Sequence, residues 1–268
     1  MSPSNLLKMN DLESYKNLLN ILKGSNPILS NFLITAQKNR QENILHYLGG
    51  TSLKGLDNLL SYLAESEKAF HENEHLSKYH YFLVRIKGDF EIAIEAFLSG
   101  LHPSIFDVMR DAMEVEFLLR DFLIWPSHFD EWLENDGKNN KKFQPASLRR
   151  RFSDYCGHCD IQGTLDYKIH SQLLHVTPKI SDIRGLTINS DNDVASKSIC
   201  LWEIMQHAMK IVLLIHRYQF SIPIKTPVNF KDLIGLENFY FSWEKCLSRY
   251  RMWESILKMA TNTTPNSV

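Results

Sequence analysis

Apolar residues recur at helical spacing along most of the chain. Leu6, Leu7, Tyr15, Leu18, Leu19 and Leu22 predict a first helix, which Gly24 stops. Leu56, Leu59, Leu60, Leu63 and Phe70 predict a second over 53–74, and a third covers 86–99 and ends at Gly100. His102-Pro103-Ser104 opens the most apolar helix, 103–124. Proline suits its first turn because the missing N–H has no partner there anyway, and Pro126 ends it. Shorter helices follow over 127–134, 146–155 and 164–174, with a polar loop at 135–142. Thr177-Pro178 breaks the pattern, and 179–193 reads as irregular or short extended structure. A long helix covers 193–218, with Asp191 and Asp193 at its positive end and His216 and Arg217 at its negative end. Residues 221–229, with two prolines, make a connector, and a last helix covers 236–259.

No repeat, no βαβ alternation and no glycine-rich phosphate loop interrupts this pattern. The expected fold is all-α: a single-domain bundle of eight to ten helices with few or no short strands. It divides into N-terminal helices 1–85, a central bundle 86–220, a C-terminal helix 221–260 and a disordered tail 261–268. Trp243, Tyr250 and Trp253 in the last helix either pack internally or form a homodimer face; internal packing is the stronger expectation.

Composition narrows the class little. Of 268 residues, 44% are hydrophobic and 23% charged, ordinary for a globular protein. The net charge of −1 leaves no global field to recruit nucleic acid, so a basic patch has to be local. Lys141, Lys142 and the run LRRRF, with Arg149, Arg150 and Arg151, are the one candidate. The N-terminal stretch carries Asp11 and Glu13 within its apolar pattern, unlike a signal peptide. The longest plainly apolar run, 211–215, is too short for a bilayer. A cytoplasmic location, no membrane contact and four reduced cysteines are expected.

Two short motifs invite metal chemistry. HENEH, His71 to His75, fits H-E-x-x-H, in which two histidines at i and i+4 on a helix hold zinc and the glutamate activates water. The charged Glu74 inside it, the lack of a third ligand in a known signature and the absence of a strand pattern for a peptide substrate oppose that reading. A di-iron bundle fails on ligand count, because no second Glu-x-x-His exists. CGHC, Cys156 to Cys159, lies after a helix rather than at a helix start, so it lacks the setting of a thiol oxidoreductase. Zinc held by Cys156, His158 and Cys159 would need Cys200 or Cys246 as a fourth ligand. No cofactor is expected. Arg40…His46 and Arg151…His158 have the Arg-x(4–6)-His spacing of metal-free helical RNases, a pairing that composition alone produces by chance.

The strongest constellation lies elsewhere. Arg110 and Glu114 sit at i, i+4 in the helix that is apolar nearly all round, where charges need partners. Tyr167, His170, Ser171, Leu174 and His175 share one helical face that carries four polar groups. Such a face is either exposed or lines a polar cavity. From about 90 to 178 the chain resembles a bacterial family of helical proteins of unknown function. That family's pattern is an Arg-x-x-x-Glu helix, here Arg110 and Glu114, then a Tyr-x-x-x-Ser-x-x-x-His helix, here Tyr167, Ser171 and His175. The family is similar to HEPN domains, some of which are toxins or effectors in antiphage defence.

The resemblance implies a HEPN-like core and a metal-independent ribonuclease or effector. Arg110 would hold a phosphate, His175 would act as general acid or base, and Glu114, Tyr167 and Ser171 would complete the site. Arg149, Arg150 and Arg151 would contact a nucleic-acid backbone. The alternative expectation is a non-enzymatic interaction protein, the sensor or neutralising partner of a defence or toxin system. A zinc protein built on His71 and His75 ranks behind both.

Overall fold

The computed structural model describes residues 12–134, 141–157, 194–230, 233 and 235–262. These form nine α-helices: α1 (Leu12–Ser25), α2 (Pro27–Tyr47), α3 (Thr51–Glu72), α4 (His80–Ser99), α5 (His102–Ile124), α6 (Ser127–Glu134), α7 (Pro145–Cys156), α8 (Val194–Gln219) and α9 (Glu237–Asn262). No strand occurs among the described residues. The all-α bundle is as the apolar spacing predicts. The expected helix over 164–174, the segment 179–193, residues 135–140 and the tail from 263 lie outside the described residues.

α5 is the central element. It packs against α4 and α8 and carries α7 on a third side, while α9 closes the bundle against α3 and α8. Ile105, Met109, Ala112, Leu119 and Phe122 of α5 are buried, facing a core that includes Phe90 and Phe97 of α4 and Ile204, Ala208 and Ile211 of α8. The C-terminal ends of α5 and α8 are tied together: the Tyr218 hydroxyl donates to the Leu119 carbonyl at 2.6 Å. Burial pushes that phenol well above its ordinary pKa, so it stays a donor. The segment Lys197–Gln219 of α8 is long and apolar enough to cross a bilayer by length and composition, yet most of it is enclosed by the other helices. Its hydropathy is that of a core helix.

One helix escapes the sequence pattern. The apolar spacing singles out no helix over 27–47; α2 nevertheless runs for 21 residues there. Its buried positions include Ser30 and Asn43. Polar side chains hold it. Asn43 Nδ2 donates to the Phe97 and Leu98 carbonyls at 3.3 and 2.9 Å, and Asn39 Nδ2 to the Ser99 carbonyl at 3.3 Å. These are carbonyls from the last turn of α4, which lack partners within their own helix. Gly100 then turns the chain with φ +74°, and Leu101 N–H returns to the Ala96 carbonyl at 2.8 Å. α3 and α9 approach so closely at Gly55 that a Cβ there would stand 3.1 Å from the Asn238 carbonyl oxygen. Trp243 of α9 packs against the core beside Tyr240.

Candidate functional site

Arg110, Glu114, Phe117 and Asp121 stand at i, i+4, i+7 and i+11 on α5, so one strip of that helix carries all four. At its upper end Arg110 Nε lies 3.4 Å from Glu114 Oε1, with 26% and 36% of the two side chains exposed. The pair therefore sits at the edge of the bundle and reaches solvent. A turn further on, α7 crosses the strip. Its Leu148 packs on Met113 and Phe117, and the Arg149 guanidinium lies 5.9 Å from the Phe117 ring.

The lower end of the strip holds a buried polar node. Asp121 Oδ1 accepts from Arg151 Nε at 3.0 Å and from Nη2 at 2.8 Å. Asp121 Oδ2 meets His128 Nδ1 at 2.7 Å. Arg151 also donates through Nη1 to the Lys142 carbonyl at 2.7 Å. One carboxylate thereby ties α5 to α6, α7 and the turn before α7. Beside it the buried Glu116 pairs with Arg120, whose guanidinium lies 4.9 Å from the Phe152 ring.

Next to this node opens a cleft of about 550 Å³, lined among others by His75, Lys78, Tyr79, Tyr155, Tyr218 and Ser221. No carboxylate lines it among the described residues. Two of its rings carry lysines: Lys225 Nζ is 4.2 Å from the Tyr155 centroid, and Lys78 Nζ is 5.0 Å from that of Tyr79. Arg217 braces the connector behind it, donating to the Pro223 and Thr226 carbonyls. Burial first, then the nearby Arg120 charge, lowers the pKa of Arg217. Cations seated on aromatic faces beside an acid-free cleft suit a phosphate backbone and stacked bases.

The sequence-derived residues fare differently. Arg110 and Glu114 are together on α5; Tyr167, Ser171 and His175, like His158 and Cys159, lie outside the described residues. Arg149 stacks on Phe117 and Arg150 is exposed. Arg151, grouped with them for backbone contact, instead gives its guanidinium to Asp121 and Lys142, because a buried carboxylate demands the nearest cation.

HENEH does not form the expected helical pair. α3 ends at Glu72, and Asn73 turns extended (φ −96°, ψ 118°). The Asn73 side chain then accepts the backbone N–H groups of His75 and Leu76. His71 and His75 therefore do not share a helical face, and the His71 ring lies 4.8 Å from that of His80, tilted by 50°. Cys200 is buried, with its thiol pKa pushed up by that burial, so it is no ready thiolate ligand. Among the described residues no group of three or more His, Cys, Asp or Glu could hold a metal ion.

Asp121, Glu116, Arg120 and His128 were missed by sequence reasoning. The signal that singled out Arg110 and Glu114, charge within an apolar helix, applied equally to Glu116, Arg120 and Asp121.

A second polar cluster lies on the α4 side of α5. Arg85 grips Asp111, with Nε 2.7 Å from Oδ2, and the neighbouring Asp89 has its pKa pushed up to about 7, first by burial and then by the Asp111 charge. A carboxyl whose folded pKa exceeds its unfolded one contributes stability present at low pH. That stability is lost as pH rises from about 4 through about 7. Asp89→Asn is therefore expected to stabilise the protein at pH 8 and to change little at pH 4. Because Asp89 is only half-buried, the gain is about 1 kcal/mol. Melting curves across this pH range check it; a variant less stable at pH 8 contradicts it.

Fold and cleft together define an all-α protein with a local basic, aromatic face. No protein-family model, no curated protein and no solved structure matches the chain.

Proposed function

We propose that this chain is a HEPN-like helical effector that binds and cleaves RNA, in the defence or toxin setting that the resemblance implies. The observation that carries the reading is the cleft, with no carboxylate among its described lining residues, whose rings Tyr79 and Tyr155 each carry a lysine. Lys78, Lys225, Arg149 and Arg150 hold the phosphates, and Tyr155 offers a face for a base. Arg110 lies on the same strip of α5 as Asp121, about 16 Å away at the rise of a helix, with Glu114 one turn nearer. In this reading Arg110 steadies a phosphate, and His175, Tyr167 and Ser171 keep the roles that the resemblance implies.

The test is single-stranded RNA binding by fluorescence anisotropy, followed by a cleavage assay. Lys78→Glu with Lys225→Glu is expected to weaken binding about tenfold or more and to flatten the salt dependence by about 0.7 per lost phosphate contact. Arg110→Ala and His175→Ala are expected to bind normally and to lose cleavage. A wild type that binds no RNA at low salt, or a lysine double variant that binds as well as wild type, overturns the reading.

A second reading is a non-enzymatic sensor or neutralising partner. The way both Asp121 oxygens are already used within the fold favours it, since that node then serves structure alone. It predicts no cleavage by any form of the protein.

A further inference from the structure

The first two helices form an arm. α1 makes its main packing contacts with α2, and none of its described side chains is buried. An isolated helix of this length is marginal in water, and α1 has α2 as its main support, while α2 itself is seated on α4 through Asn39, Asn43 and Tyr47. Yet the arm displays Tyr15, Leu18 and Ile21 on α1, and Ile28, Leu29 and Phe32 on α2, with exposures from 37% to 85%. Their spacings, i, i+3, i+6 and i, i+1, i+4, gather each set on one side of its own helix. Single exposed apolar residues are ordinary; six such side chains on two packed helices mark a contact surface.

We propose that this arm is a self-association surface, on which two copies of the chain pack their α1–α2 hairpins into a four-helix unit. Such a pairing covers the apolar side chains that the rest of the fold leaves exposed. The six side chains are uncharged, so a copy of the same patch meets no repulsion, and an identical patch on each partner is what a two-fold interface requires. The six expose on the order of 600 Å² per copy, so a symmetric pairing removes about 1,200 Å², the lower bound for a stable specific interface. The arm lies apart from the RNA-binding cleft, and the proposal is independent of that function.

The experiment is molar mass in solution by sedimentation equilibrium on the full chain across the micromolar range. Wild type is expected to be a dimer, and Ile28→Glu and Phe32→Glu to be monomers with unchanged helical signal. Ile28 is 85% exposed, so its substitution leaves the monomer fold untouched. A wild type that is monomeric throughout overturns the proposal. So does a dimer that survives both arm variants and dissociates with Phe241→Glu, which places the interface on α9. If wild type is monomeric and Leu6→Glu with Leu7→Glu speeds amide exchange in the arm, the chain's own first residues cover it, and the proposal is wrong.

Discussion

Asp121→Ala is expected to destabilise the protein by about 3–5 kcal/mol, the loss typical of breaking a buried ion pair from one side. Asp121 is almost fully enclosed, and its two oxygens accept from Arg151 and His128. Without the carboxylate, a guanidinium that is only 23% exposed keeps its charge and retains the Lys142 carbonyl as partner. His128 loses the group that orients it, and α6 and α7 lose their common tie to α5. Asp121→Asn is expected to lose less, since the amide oxygen still accepts from Arg151. Lys38–Glu42 is the contrast: with 72% and 37% of its side chains exposed, removing either residue should cost under about 1 kcal/mol. Urea midpoints measure all three, and a loss below 1 kcal/mol for Asp121→Ala would show that the node is dispensable.

Phe122→Ala should cost as much, about 3–5 kcal/mol, by a different route. Its ring is wholly buried and lies edge-on to Phe129 at 5.5 Å, with Tyr79, Phe82, Trp132 and Phe143 around it. Alanine removes the ring and leaves a cavity between α4, α5 and α6 that this rigid set cannot fill by collapse. Phe220→Ala, at a ring 65% exposed, serves as the control and should change stability by less than about 0.5 kcal/mol. Near-equal effects at the two phenylalanines would mean that the aromatic nest is loosely packed. Because Phe122 also lines the cleft, its loss should weaken the proposed RNA binding only as far as the fold loosens.

Much of the helix map was legible because it rests on local rules. Pro103, Gly100 and Pro126 mark where helices start and stop, and α6 occupies the expected 127–134 span. α2 was not legible, because side-chain amides bonded to carbonyls some sixty residues further along the chain hold it, and no periodicity records such a bond. HENEH misled for a related reason. Sequence spacing assumes that the helix continues, whereas the Asn73 side chain accepts backbone N–H groups that a continuing helix would have used, and it breaks the helix between the two histidines. Of the candidate site, Arg110 and Glu114 could be picked out because charge in an apolar helix is visible in one dimension. Arg151 could not be told apart from Arg149 and Arg150, since three adjacent arginines look alike until one of them faces Asp121.

The sequence by itself determined that the chain makes helices, and where most of them begin and end. Those outcomes depend on residues within a turn or two of one another, through capping, proline sterics and the helical repeat. Only the tertiary structure decided which charges are structural, where the cleft with its lysine-bearing rings opens and which apolar face stays uncovered. Each of these depends on what a distant segment brings within a few ångströms, and burial and pairing strength are properties of that neighbourhood.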